Sequence, residues 1–249
     1  MNKETPQSVD FAYSLGLAEI TQLAKAKRVQ EIAQILELEE ADVQLSLQCV
    51  GDELRKGSSE EDSSSSRVSH FAHMVRVAYM VKHFFPYDIR SRRLAMLHDI
   101  KEEALPDQEE TFASSDLAVD IDLLTEQPAE LKDLEFFTAI LPNGFDPVYF
   151  VKYRKFIADL HLNWDRLGAL ELCDRLDAST SASYLLHPKY ASRLQYKALE
   201  SLGRVWATLA VDTSEISQII KNNYRAWFNT FGITEEKVEA SARIFLLDI

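Results

Sequence analysis

A chain of 249 residues, 46% hydrophobic and 27% charged, has the make-up of an ordinary globular protein with enough length to bury its own core. Its net charge of −13 argues against a nucleic-acid surface, which needs clustered lysine and arginine, yet leaves room for a small phosphorylated ligand held by a few local cations. The two cysteines, Cys49 and Cys173, form neither a disulfide framework nor a zinc or redox pair.

The opening residues Met1-Asn2-Lys3-Glu4-Thr5-Pro6 lack the layout of a secretory signal, and no apolar run reaches membrane-spanning length. The expected compartment is the cytoplasm, with no membrane association. Only seven glycines and seven prolines, among many Leu, Ala, Glu and Lys residues, favour helices over strands.

In chain order, apolar residues recur at helical spacing from Phe11 to about Leu38, and again from Ala41 to about Leu54. The segment 57–66 is too polar to bury and reads as a serine-rich flexible loop. The pattern resumes from His70 to Phe85, stopped by Pro86, and from Ser91 to Ala104, stopped near Pro106. Shorter helices are expected over Leu117–Leu124 and Leu131–Leu141, and longer ones over Val148–Leu160, Asp165–Leu186 and Ser192–Ala210. Ser214–Phe231 and Glu235–Leu247 close the chain. Strand alternation is nearly absent. The expectation is an all-α helical bundle. Residues 1–40 form an N-terminal helical extension, 41–210 the main domain, and 211–249 C-terminal helices packed on it.

The chemistry concentrates in Leu97-His98-Asp99-Ile100-Lys101-Glu102-Glu103, which follows the apolar run Leu94-Ala95-Met96. Adjacent His98 and Asp99 can reach one divalent cation. In a helix, Glu102 would share their face, adding a spare carboxylate. His73 lies upstream in the apolar stretch Phe71–Ala78, with His70 as a fallback, and Asp174 lies downstream in Ala169–Leu176. A carboxylate inside an apolar helix needs a compensating partner, either a cation or an arginine such as Arg175. Taken singly, each residue has a plainer reading: a satisfied core histidine, an aspartate paired with arginine, a solvated acidic face. Their combination is what points to metal-assisted hydrolysis, with manganese first and iron, zinc, cobalt or magnesium as alternatives.

The order His, His-Asp, Asp resembles the signature of the HD phosphohydrolase superfamily, whose members are all-α. By that resemblance one metal ion is held by His73, His98, Asp99 and Asp174. Within the superfamily the chain is most similar to the (p)ppGpp hydrolase domains of RelA/SpoT-type proteins and to small alarmone hydrolases, over roughly residues 42 to 200. Leu97–Glu103 resembles their LHDxxED, with Glu103 in place of the aspartate, and Leu170–Leu176 resembles VKLADRL. Arg55-Lys56-Gly57-Ser58 resembles the Arg-Lys-Ser-Gly that contacts nucleotide there.

The departures fall on nucleotide-contacting positions: the serine-rich insertion, Ala178 where asparagine is usual, and a missing Tyr-x-x-His-Pro. The resemblance implies a 3′-pyrophosphohydrolase of a guanosine tetraphosphate-type nucleotide, with Glu102 and Glu103 as catalytic carboxylates. HD 5′-deoxynucleotidases or dNTP hydrolases are the alternative, with Glu102 and Asp107 at matching spacing. A degenerate nucleotide-binding or regulatory HD domain is the third reading.

Arg55, Lys56, Lys101, Arg154 and Ser181 are the candidate substrate contacts, while Arg90, Arg92 and Arg93 read as a solvated helix face. The segment from Arg28 to Val43 faintly resembles a helix-turn-helix, but its second helix is acidic, and packing against the bundle is the better account. Trp206, Trp227 and Phe231 read as core.

Overall fold

The structure, a computed structural model, describes residues 11–50, 70–100, 116–125, 130–180 and 194–247. The serine-rich stretch 57–66 lies outside them, as do Arg55, Lys56, Lys101, Glu102, Glu103 and Ser181. Among the described residues all regular structure is helical, as the low glycine and proline content implies. No described helix is long and apolar enough to cross a membrane. The chain divides into two compact units, Met1–Leu117 and Ala118–Ile249.

In the first unit, α1 (Phe11–Lys25), α2 (Val29–Leu36) and α3 (Glu40–Val50) pack around α4 (His70–Phe84), which is followed by α5 (Ile89–Ala95). The helical pattern read from Phe11 to about Leu38 is two helices. Lys27 adopts a left-handed φ of 54°, and the Arg28 N–H closes on the Leu23 carbonyl at 3.0 Å, which ends α1. No glycine or proline marks the break. Helix α4 is buried on nearly every side, from His70 through Val77, Ala78, Met80 and Val81, as expected of a helix apolar all round. Helices α2 and α3 both rest on α4, so the helix-turn-helix-like segment serves packing.

Arg92 overturns the solvated-face expectation, because its side chain is fully buried. Its guanidinium donates to the Leu36 carbonyl at 2.8 Å and the Pro86 carbonyl at 2.6 Å, and also to Glu37 at 3.2 Å. The Leu36 bond satisfies a carbonyl at the C-terminal end of α2, where Glu37 takes a left-handed φ of 54°. Arg93 is likewise committed, to Asp42 at 3.0 Å and Asp116 at 3.1 Å, and these carboxylates hold it charged.

The second unit contains α6 (Ala118–Leu124), α7 (Leu131–Ile140), α8 (Pro147–Leu162), α9 (Trp164–Thr180), α10 (Leu194–Thr208), α11 (Glu215–Arg225), α12 (Phe228–Phe231) and α13 (Glu235–Phe245). Helix α8 contacts α6, α7, α9, α10 and α13. Its start combines Pro147 at the first turn with Asp146 as N-cap, whose carboxylate accepts from the Val148 N–H at 3.1 Å. An aromatic stack of Phe137, Phe150 and Phe245 fills the centre, the last two rings 4.3 Å apart. Trp206 is buried beside Phe228 as expected, whereas Trp227 and Phe231 are half-exposed.

Candidate metal centre

Helix α4 and the chain just after α5 bring the first-unit candidates together. His70 and His73 are three residues apart on α4 and so share a face; they are 2% and 0% exposed. Helix α5 stops at Ala95, and Met96–Asp99 forms a turn instead of the expected continuous helix. Three-residue backbone bonds tighten it: Met96 to Arg93 at 3.1 Å, Leu97 to Leu94 at 2.9 Å and Ile100 to Leu97 at 3.2 Å. The Nδ1 of His98 meets the Ala95 carbonyl at 2.9 Å. In an uninterrupted α-helix that carbonyl accepts from the Asp99 N–H, so the imidazole competes with helix continuation where the motif sits.

The Asp99 carboxylate is the meeting point. Its Oδ1 is 3.3 Å from His98 Nε2, and its Oδ2 is 3.7 Å from His73 Nε2 and 4.0 Å from His70 Nδ1. The His73 and His98 rings lie edge to face with centroids 5.3 Å apart. One donor atom each from His73, His98 and Asp99 fall within 4.8 Å of one another; His70 stands outside that mutual set.

Donor atoms about 2.1 Å from one ion lie about 3 Å apart at right angles and about 4.2 Å apart across it. The three residues therefore fit a single cation with little adjustment. The Ala95 carbonyl only accepts, so His98 Nδ1 is its donor, and Nε2 is the ring nitrogen turned toward Asp99. That is the orientation a backbone carbonyl imposes on metal-ligating histidines. Two imidazoles and a carboxylate form a mixed N/O set suited to manganese, iron or zinc.

Asp174 is carried by α9 in the second unit and is 8% exposed. Arg175 lies 3.5 Å from it and 2.6 Å from Glu171. Burial opposes the charge on Arg175, but the Glu171 and Asp174 carboxylates prevail and hold its pKa well above the usual arginine value. The arginine pairing weighed from sequence is thus present. Cys173 beside it is a buried thiol with its pKa pushed up by desolvation. On α8, Arg154 Nε donates to the Leu247 carbonyl at 2.7 Å.

Ser179 donates to the Leu176 carbonyl at 2.8 Å and accepts from Asn223 at 2.9 Å, which gives it a packing role on α9. The approach of His70 to Asp99 had one sequence signal, its three-residue offset from His73. The Ala95 bond to His98 had none. Comparison with protein-family models, with curated proteins and with solved structures returns no match.

Proposed function

We propose that the protein is a metal-dependent phosphohydrolase of the HD type acting on a nucleotide, with a guanosine tetraphosphate-type alarmone as substrate and loss of its 3′-pyrophosphate as the reaction. The observation that carries this reading is the convergence of His73, His98 and Asp99, with donor atoms within 4.8 Å, in a largely buried part of the first unit. His73 and His98 supply neutral nitrogen donors and Asp99 supplies charge; resemblance alone adds Asp174. A bound divalent cation of the manganese class supplies Lewis acidity toward a phosphoryl oxygen and acidifies water.

Glu102 and Glu103, close in sequence to Asp99, orient the attacking water and take its proton. Arg55, Lys56 and Lys101, on the same unit as the metal centre, contact the phosphates in this reading.

The test uses the purified full chain with Mn2+, assayed for metal content and for product release from ppGpp and from dAMP. Pyrophosphate from ppGpp is expected, with metal and turnover lost together in His98→Ala and in Asp99→Asn. Phosphate from dAMP instead would move the protein to the deoxynucleotidases. Metal retained with no turnover of either nucleotide would leave a binding domain, and a wild-type chain that takes up no Mn2+ would end the metal reading.

A further inference from the structure

We propose that His70 is a positioning residue for Asp99, steadying the carboxylate through the Nδ1 side of its ring so that it meets a cation in one orientation. The inference rests on the metal-centre reading. His70 opens α4 and is 2% exposed, so its ring is fixed by its surroundings. Its Nδ1 lies 4.0 Å from Asp99 Oδ2, the same oxygen that faces His73 Nε2 at 3.7 Å. That spacing is one small side-chain adjustment short of a hydrogen bond.

Asp99 needs such a neighbour. It sits on a turn, outside helix α5, and its side chain is 22% exposed, so it is held less firmly than the buried histidines around it. A buried donor on the rigid α4 steadies it. His70 is outside the mutual donor set of His73, His98 and Asp99, so its contribution acts through Asp99.

Because Nδ1 faces the carboxylate, the geometry names the conservative replacement. An asparagine amide nitrogen falls near the place of Nδ1, whereas a glutamine amide reaches toward Nε2. The experiment measures Mn2+ binding to the full-length wild type, His70→Ala, His70→Asn, His70→Gln and Asp99→Asn by the paramagnetic signal of free Mn2+. Metal-free circular dichroism melts run in parallel.

His70→Ala is expected to weaken Mn2+ binding by about 10- to 100-fold, as loss of a group that orients a metal ligand does. His70→Asn should recover most of that loss and His70→Gln little of it, in an order that does not follow the metal-free melting temperatures. Wild-type affinity in His70→Ala, or Asn no better than Gln, overturns the assignment of His70 while leaving the centre standing. Absence of Mn2+ binding in the wild type overturns both, and Asp99→Asn tells the two failures apart by fixing the signal of a lost centre.

Discussion

Two side chains show how burial sets the meaning of a charge in the first unit. Arg92, read from sequence as solvated, is fully buried because three acceptors from two chain segments converge on its guanidinium. Two of them, the Leu36 and Pro86 carbonyls, are backbone atoms, and no side-chain pattern announces a carbonyl that needs a donor. Arg92→Met keeps much of the aliphatic bulk and removes every donor. The buried Leu36 carbonyl then loses its partner at about 1–3 kcal/mol, while the carbonyl of exposed Pro86 can turn to water. The Glu37 contribution is small, because that carboxylate is 65% exposed and screened. Urea unfolding of Arg92→Met should show a loss of about 2 kcal/mol; a loss inside experimental error would mean the Leu36 carbonyl finds another donor. His98 is the converse case. Its residue type and its aspartate neighbour were legible, but the bond to Ala95 that fixes its tautomer was not, again because the partner is backbone.

At the scale of elements, hydrophobic periodicity and proline stops placed most of the helices within a few residues. His70–Phe84 ends just before Pro86, and Glu235–Phe245 starts where the spacing puts it. Three breaks escaped, at Lys27, at Met96–Asp99 and at Ala226–Trp227, where the expected helix Ser214–Phe231 is two, because each is made by bonds to backbone carbonyls and no glycine or proline marks it. Close packing of α10 on α13 was equally silent. Gly203 lies inside α10, where alanine is the better helix former by about 1 kcal/mol. A Cβ there would sit 2.3 Å from Ser241 Oγ and 3.1 Å from the Ser241 backbone carbon. The hydroxyl can turn, at the expense of its 2.9 Å bond to the Leu199 carbonyl, but the backbone cannot. Overpacking of this kind costs about 1–3 kcal/mol and outweighs the propensity gain. Gly203→Ala should therefore melt below wild type, and Ser241→Gly in the same chain should recover part of the difference. A melting temperature at or above wild type in the single variant would show that α13 yields freely.

For the whole molecule, charge complicates any test of the metal centre. A net charge of −13 draws divalent cations to the surface without a site, so a general rise in melting temperature with Mn2+ would not single out His73, His98 and Asp99. Location separates the two effects. An ion held by these residues ties α4 to the turn after α5, and a ligand at 100 times its dissociation constant stabilises what it holds by about 2.7 kcal/mol. Amide exchange reads this segment by segment. Mn2+ should slow exchange in 70–84 and 94–100 and leave α11 to α13 unchanged, and the effect should vanish in Asp99→Asn. The same titration judges the carboxylate that only resemblance nominates: slowing in 164–180 that disappears in Asp174→Asn would make Asp174 a ligand, and its absence would leave the ion to three residues. Diffuse protection across the acidic surface, unchanged by Asp99→Asn, would mean that the histidines and aspartate meet for packing alone.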